Sequence, residues 1–240
     1  MRKRLSKEKA DTMCEIIIPT YNRHCYFDRI ISHYRHFRYP VTIIDASSNK
    51  YSFAELPSNI SYSHMPMFSI YKRLKTILKQ SKAKYVMLIA DDDFVFESSL
   101  KKGIHFLKKN SDFSLVQGRW LGFNKDNVNH KFAIYTNRQF RDCREVNAKI
   151  RCRNYLNNYF MTFWALYRKE TLTAVCRILD KLNVYNFRMS EIIQAAMTCY
   201  YGKIKFINCV LGAREVNQLK VPDDKTSVIV TSAKSYKVYH

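Results

Sequence analysis

The sequence has few of the residues that break or cross-link a chain. Its 240 residues include only five glycines and five prolines, which excludes collagen-like and linker proteins. Its seven cysteines contain no CxxC pair, so neither a zinc ribbon nor a disulfide framework is expected. No apolar run reaches the roughly 18 residues of a membrane span, and the residues after Met1 lack the apolar core of a signal peptide. We therefore expect a cytoplasmic protein.

Acidic residues are scarce relative to basic ones. The chain has 20 Asp and Glu against 41 Lys and Arg, which gives a net charge of +21. Both halves of the chain are basic, so a charged tail does not explain this excess. A charge of this size attracts polyanions, namely nucleic acid, anionic lipid headgroups or phosphorylated small molecules. The apolar fraction of 47% predicts a folded protein rather than a disordered one.

The apolar residues follow two periodicities. Short β-branched runs predict buried strands, and apolar residues three or four apart predict amphipathic helices. The predicted strands cover residues 14–19, 41–45, 85–90, 113–123, 131–135 and 203–211. The predicted helices cover residues 26–37, 69–80, 98–109 and 169–182, and one more begins near residue 191. This alternation indicates an α/β fold with a mostly parallel central sheet flanked by helices.

Three consecutive carboxylates, Asp91, Asp92 and Asp93, follow the apolar run YVMLIA. Like charges this close repel one another unless a cation offsets them. The carboxyl end of a strand is also where open α/β sheets bind ligands. Carboxylate oxygens suit Mg²⁺ or Mn²⁺, so we predict Asp91 and Asp93 as metal ligands. The alternative is an acidic turn that caps the next helix.

Four segments carry a family resemblance through their order and spacing. They are EIIIPTYNR at 15–23, VTIIDASSN at 41–49, YVMLIADDDF at 85–94 and RMSEII at 188–193. Together they resemble the nucleotide-sugar glycosyltransferases of the GT-A fold, and in particular the inverting enzymes of family 2. The resemblance implies one Rossmann-like domain over residues 1–240. Its parts would be a nucleotide-binding half at about 12–123, a smaller mixed acceptor-side half at about 124–220 and a weakly patterned tail at 221–240.

The resemblance also implies roles for individual residues. It places the contacts to the nucleotide sugar at Pro19, Thr20, Tyr21, Asn22, Arg23, Asp45, Arg73, Asp91 and Asp92. Glu191 matches the position of the general base, and an inverting transfer needs a carboxylate to take the proton of the attacking hydroxyl. Asp91 and Asp93 match the DxD motif, whose Mn²⁺ or Mg²⁺ would offset charge on the departing diphosphate.

Two assignments keep a structural alternative. Asn158 and Trp164 are the expected acceptor contacts, because aromatic rings stack on the faces of sugars. A tryptophan in an apolar stretch is, however, more often part of a protein core. Glu191 also fits a carboxylate placed at the start of a helix for its dipole.

The sequence thus predicts a metal-dependent glycosyltransferase of the hexosyltransferase type, which moves a sugar from a UDP-sugar to a hydroxyl of a glycan or lipid-linked glycan. Such a role belongs to the synthesis of cell-surface polysaccharides. The basic residues near the start of the chain would add contact with the anionic inner face of a membrane. Two alternatives stay open: a basic nucleic-acid-binding module, and a nucleotidyltransferase that acts on a sugar phosphate.

Overall fold

The computed structural model describes residues 13–124, 132–135, 141–184, 186–216 and 229–230. Its strands are β1 (Cys14–Thr20), β2 (Val41–Asp45), β3 (Ile60–His64), β4 (Tyr85–Leu88), β5 (Phe94–Val95), β6 (Phe113–Phe123), β7 (Phe132–Tyr135), β8 (Leu166–Arg168), β9 (Lys203–Glu215) and β10 (Ile229–Val230). Its α-helices are α1 (Phe27–Tyr34), α2 (Ile70–Gln80), α3 (Glu97–Lys109), α4 (Ala148–Asn157), α5 (Lys169–Leu182) and α6 (Phe187–Tyr201). The fold is therefore α/β, as the sequence predicts, and its central strands pair in parallel.

The chain divides into two compact units. The first comprises Met1–Asp91 and Tyr167–Asn186, and the second comprises Asp92–Leu166 and Phe187–His240. This division groups residues 92–123 with the later part of the chain, whereas the sequence assigns them to the nucleotide-binding half. The prediction of a single domain stays a prediction.

A parallel sheet forms the centre of the first unit. β1 pairs in parallel with β2 on one side and with β4 on the other, and β2 pairs with β3. Nearly every residue of β1 and β2 is buried, as expected for strands that are covered on both faces. Consequently, the carboxyl ends of β1 and β2 lie at the same edge, with Thr20 in register with Asp45.

Helices α2 and α5 of the first unit pack against each other. The hydroxyl of Ser69 caps α2 by accepting a hydrogen bond from the Lys72 amide at 3.2 Å. Asn183 ends α5 in the left-handed conformation, with φ 48°, which asparagine tolerates better than most residues. An ion pair between Lys75 and Asp180 joins the two helices.

The second unit has a mixed set of strands around β6 and β9. These two long strands run parallel, while β7 is antiparallel to β6, β10 to β7 and β5 to β9. Gly212 allows the closest of these approaches, because a Cβ at this position would lie 2.0 Å from the carbonyl oxygen of Phe94. The short strand β5, which directly follows the acidic run, is thereby held against β9.

Helices α4 and α6 pack against each other in the second unit. Asn147 caps α4 through hydrogen bonds from the amides of Lys149 and Ile150, at 3.0 and 3.2 Å. The guanidinium of Arg151, on the buried side of α4, donates from Nε to the Cys199 carbonyl at 2.6 Å and from Nη2 to the Tyr200 carbonyl at 3.0 Å. These bonds satisfy carbonyls at the end of α6 that no helical amide reaches.

The structure confirms most of the predicted elements and adds others. β3 was not expected. It lies at the edge of the sheet and only Ile60 is fully buried, so it has no continuous apolar run. α4 was also not expected, because it buries few residues and shows little apolar periodicity. α6 begins at Phe187, one turn before the predicted start, since its first three residues are exposed and carry no periodic signal. Among the described residues, no helix is long and apolar enough to cross a bilayer.

Candidate active site

The loop after β1 is tied to the first residue of the acidic run. The hydroxyl of Thr20 donates a hydrogen bond to Oδ2 of Asp91 at 2.7 Å. On the other carboxylate oxygen, Nη1 of Arg23 lies 3.0 Å from Oδ1. Thr20 and Asp91 are almost fully buried, whereas the Arg23 side chain is 39% exposed. Residues 19–23, the predicted nucleotide-sugar loop (the donor loop), therefore form one polar cluster with Asp91. The Arg23 guanidinium is the most exposed group of this cluster.

Asp45, at the end of β2, is the centre of a second polar cluster. Its side chain is fully buried, and its Oδ1 accepts from the amide and hydroxyl of Ser47 at 2.8 and 2.5 Å. Its Oδ2 accepts from the hydroxyl of Tyr62 at 2.7 Å and faces Nε2 of His24 at 2.8 Å. Burial raises the pKa of Asp45, but these hydrogen bonds outweigh burial, so its pKa lies below the ordinary value.

The Asp45 cluster also fixes the conformation of the donor loop. The Ser47 hydroxyl accepts a hydrogen bond from the amide of Asn22 at 2.8 Å. Asn22 has a φ of 54°, in the left-handed region that asparagine adopts more readily than most residues. Its neighbour Tyr21 is exposed. The predicted contact of Asp45 with a nucleotide stays a prediction, and in this structure its carboxylate holds the loop through Ser47.

Arg73, on α2, is buried and forms hydrogen bonds with the ends of β1 and β2. Its Nη1 donates to the carbonyl of Thr20 at 3.0 Å and to the carbonyl of Ile44 at 2.7 Å. Its Nε is buried without a hydrogen-bond partner among the described residues. Burial lowers the pKa of Arg73 to about 10, and the charge of Asp45 opposes this shift. The guanidinium thus remains protonated at neutral pH and adds positive charge beneath the donor loop.

A cluster of rings next to Asp45 was not predicted from the sequence. The ring of His24 lies 5.0 Å from that of Phe27 and 5.2 Å from that of Tyr51. Phe53 stacks on Phe27 at 5.3 Å and meets Tyr62 edge-on at 5.0 Å. Only Phe27 carried a signal, as a residue of the predicted helix. The other rings come from the short 3-10 helix His24–Tyr26, a loop and the edge strand β3, none of which shows a regular periodicity.

Asp93 lies in a different environment from Asp91. It is buried in the second unit, where its Oδ2 accepts from Nε of Arg214 at 3.0 Å and its Oδ1 accepts from the amide of Glu215 at 3.1 Å. Burial raises the pKa of Asp93 to about 6, with Arg214 opposing and Asp92 adding to the shift. The Arg214 guanidinium also lies 4.8 Å from the centre of the Trp120 ring. β5 and β9 bring this pair together.

The predicted metal ligands have the right donor chemistry for a hard divalent cation. Asp91 and Asp93 offer carboxylate oxygens, which Mg²⁺ and Mn²⁺ prefer, and Asp92 between them is partly exposed. In this structure Arg23 and Arg214 face the two outer carboxylates. Across the described ranges, no group of three or more His, Cys, Asp or Glu side chains is arranged to hold a metal ion. The metal assignment therefore stays a prediction.

Glu191 lies in the second turn of α6 and is partly buried. Burial raises the pKa of its carboxyl above the ordinary value, and the charges of Arg188 and Arg214 oppose that rise. A raised pKa strengthens a carboxylate as a proton acceptor near neutral pH. The carboxylate in turn contributes to a raised pKa of Tyr159, for which burial is the larger cause.

Aromatic side chains surround the start of α6. The ring of Phe163 lies 4.5 Å from that of Trp164 and 5.7 Å from that of Phe187. Phe163 is buried, Trp164 is partly exposed and Phe187 is 51% exposed. Phe187 precedes Glu191 by four residues and so lies on the same face of the helix. Asn158 is exposed at the end of α4, where its side chain donates to the Asn154 carbonyl at 3.0 Å.

Comparison with known proteins finds similarity in structure and not in sequence. No family model matches the chain, and no curated protein matches it. Solved structures of S. aureus TarS are similar in fold. A structure of TarS 1–349 is 19% identical with a TM-score of 0.55, and the match covers 84% of this chain. The same TarS segment in complex with UDP-GlcNAc is 18% identical with a TM-score of 0.56 over 85% of this chain.

The chain spans only part of these relatives. It covers 60% of TarS 1–349 and 36% of a longer TarS structure, to which it is 18% identical with a TM-score of 0.52. Identities this low show the fold alone. The matches therefore support the α/β fold and assign no family to the chain.

Proposed function

We propose that this protein is a glycosyltransferase that uses a UDP-sugar as its donor. The fold similarity to TarS supports glycosyltransferase activity in general, and TarS has been crystallised with UDP-GlcNAc and with UDP. The proposed reaction transfers the sugar to a hydroxyl of a glycan or lipid-linked glycan with inversion. Family 2 is the proposed family.

The polar cluster around Asp91 is the observation that carries the proposal. Thr20 and Arg23, both from the loop after β1, meet the Asp91 carboxylate at 2.7 and 3.0 Å. The sequence predicted all three residues as donor contacts. Because β1 and β2 are parallel, their carboxyl ends lie at the same edge of the sheet. This edge is where α/β proteins bind nucleotides. Arg23 and Arg73 supply positive charge that suits a diphosphate there.

Glu191 is the proposed general base. Its carboxylate would accept the proton of the acceptor hydroxyl while the hydroxyl oxygen attacks the anomeric carbon and the bond to the UDP oxygen breaks. The raised pKa of Glu191 fits this role, and the positive charges of Arg188 and Arg214 oppose the rise that burial causes.

A divalent cation, Mn²⁺ or Mg²⁺, is the proposed cofactor, with Asp91 and Asp93 as its ligands and Asp92 as a donor contact. When bound, it would offset negative charge on the departing nucleoside diphosphate. Arg23 would supply further positive charge to the same leaving group, because its guanidinium is only partly buried and lies at the Asp91 carboxylate. Replacement of Asp93 would also release Arg214, so metal affinity and fold stability must be measured separately.

Asn158, Trp164 and Phe187 are the proposed acceptor contacts. Phe187 and Trp164 both contact Phe163 and offer apolar faces on which a sugar ring stacks. The net charge of +21 favours an acceptor that carries phosphate or that lies at an anionic lipid surface. Contact with such a lipid surface was predicted for the basic residues near the start of the chain. These residues lie outside the part of the chain that the structure describes.

Calorimetric titration with UDP, in the presence and absence of Mn²⁺, tests the donor site directly. We expect UDP to bind, and Asp91→Asn to weaken binding at least tenfold. Lys82→Gln is the matched control, because it changes one charge on the same unit next to the end of α2. Unchanged UDP binding by Asp91→Asn would contradict the proposed site. Tight, salt-dependent binding of single-stranded nucleic acid without any UDP binding would favour the nucleic-acid module instead.

A further inference from the structure

Two arginine side chains of the first unit lie against the ring of Tyr26. The guanidinium carbon of Arg23 is 4.4 Å from the centre of this ring, and that of Arg29 is 4.5 Å from it. Both distances fall within the roughly 6 Å over which an aromatic face attracts a cation. Tyr26 thus holds two positive charges close together, although like charges repel one another.

The local backbone produces this arrangement. Arg23 directly precedes the short 3-10 helix His24–Tyr26, and the Tyr26 amide donates to the Arg23 carbonyl at 3.1 Å. Arg29 is the third residue of α1, which begins directly after Tyr26. Each arginine is therefore three residues from Tyr26, a spacing at which side chains on helical turns are neighbours. The sequence predicted Arg23 as a donor contact but assigned no such role to Tyr26 or Arg29.

The ring contact and an ion pair together order the Arg23 side chain. Its Nη1 lies 3.0 Å from Oδ1 of Asp91, and the other oxygen of this carboxylate accepts from the Thr20 hydroxyl at 2.7 Å. A long arginine side chain has many rotamers, and restricting them costs conformational entropy. Because Tyr26 and Asp91 already restrict Arg23, its guanidinium would lose less entropy when it binds a ligand at this edge of the sheet.

We propose that Arg23 and Arg29 form a diphosphate-binding pair and that Tyr26 is its positioning residue. The inference rests on the proposed use of a nucleoside diphosphate sugar and adds Tyr26 and Arg29 to that site. Guanidinium groups bind phosphate oxygens through paired N–H donors, and a diphosphate offers oxygens to two of them. Its negative charge would also offset the repulsion between the two cations. Tyr26 acts only through the arginines.

Exposure distinguishes this pair from the third arginine near the donor loop. The Arg23 side chain is 39% exposed, and Tyr26 and Arg29 are only partly buried, so a ligand can approach all three. Arg73, in contrast, is buried and donates to main-chain carbonyls at the ends of β1 and β2. Arg73 therefore supports the backbone of the site and contributes charge, whereas Arg23 and Arg29 would contact the phosphates.

Calorimetric titration of the full chain with two ligands tests the pair. The ligands are UDP in the presence of Mn²⁺ and inorganic pyrophosphate in metal-free buffer. Arg23→Gln, Arg29→Gln and Tyr26→Leu are each expected to weaken the binding of both ligands at least about fivefold. Arg35→Gln is the matched control, because Arg35 is exposed at the other end of α1 and its loss changes the net charge equally. Unchanged binding by Arg29→Gln, or an equal loss in the Arg35 variant, would overturn the proposal.

Two further variants separate positioning by Tyr26 from a merely structural role. Tyr26→Phe keeps the aromatic face and should bind UDP within about threefold of the wild type, whereas Tyr26→Leu should not. Added to a protein that carries both Arg23→Gln and Arg29→Gln, Tyr26→Leu should cause no further loss of affinity, since the ring then has no cation to hold. An additional loss in that protein, or equal losses in the Phe and Leu variants, would contradict the positioning role.

The two ligands also distinguish failure of this inference from failure of the proposed function. Binding of UDP by the wild-type protein without any binding of pyrophosphate would overturn the diphosphate pair and leave the donor proposal standing. Binding of pyrophosphate that depends on Arg23 and Arg29, without any binding of UDP, would support the pair and contradict the proposed donor. If neither ligand binds, both proposals are wrong.

Discussion

Replacement of Asp45 by asparagine tests how the donor loop is held. The carboxylate is fully buried and accepts hydrogen bonds from Ser47, Tyr62 and His24. An amide has nearly the same shape but no charge, and one of its two ends donates rather than accepts. Because the pKa of Asp45 lies below its ordinary value, the folded state favours the charged form, and removal of the charge must destabilise the protein.

The size of the effect follows from the number of bonds that change. A hydrogen bond to a charged group contributes about 1.5 to 3 kcal/mol, and a neutral one about 0.5 to 1.5 kcal/mol. The Tyr62 hydroxyl and the His24 ring can reverse their roles and accept from the new amide, which limits the loss. We therefore expect Asp45→Asn to lower the free energy of unfolding by about 2 to 4 kcal/mol. Weaker UDP binding should follow, because Ser47 loses its anchor and holds Asn22 less firmly.

Urea unfolding at pH 7 and at pH 3 measures this effect and its cause. The stabilisation from a carboxyl with a lowered pKa is present above the unfolded pKa near 3.8 and is lost as the pH falls through the folded pKa. Below about 3.8 the unfolded wild-type chain takes up a proton at Asp45 that the folded state resists, so the difference between wild type and variant should shrink at pH 3. Tyr62→Phe is the control, since it removes one bond and should cost about 1.5 kcal/mol. A variant within about 0.5 kcal/mol of wild type at pH 7 would refute the reasoning.

Three further predictions concern the second unit. Glu191→Gln should reduce the rate of sugar transfer at least a hundredfold and leave UDP affinity within twofold. The kcat of the wild-type enzyme should fall as the pH drops through the raised pKa of Glu191. An equal loss of UDP affinity in the variant would make Glu191 structural. Gly212→Ala should destabilise the unit by more than about 3 kcal/mol in urea unfolding, because its Cβ would collide with Phe94, and a stable variant would contradict the close approach. Phe187→Ala should raise the KM for the acceptor several-fold with the KM for UDP-sugar unchanged, and the reverse pattern would exclude an acceptor role.

Local patterns predicted a large part of the fold. The apolar runs of β1, β2 and β4 are continuous because these strands are buried, and their residues match the predicted ranges closely. The helical periodicity of α2 and α5 is equally plain, since each buries one face. Edge strand β3 and the weakly amphipathic α4 were missed, because neither buries enough apolar surface to produce a periodic signal.

The identity of the acidic run was also evident from the sequence, but the different environments of its members were not. Adjacent carboxylates have the same local chemistry, yet Thr20 and Arg23 bind Asp91 whereas Arg214 binds Asp93. Thr20 lies 71 residues from Asp91, and Arg214 lies 121 residues from Asp93. Such pairings depend on which strands become neighbours, and no local pattern specifies that.

The sequence by itself determined the alternation of strands and helices, the excess of positive charge and the position of polar residues at strand ends, because each is a property of consecutive residues. Tertiary structure alone decided that Asp45 is enclosed by Ser47, Tyr62 and His24, and that Arg214 lies at Asp93. Burial and hydrogen bonding set the pKa of Asp45, and both depend on residues that come close to it only after folding.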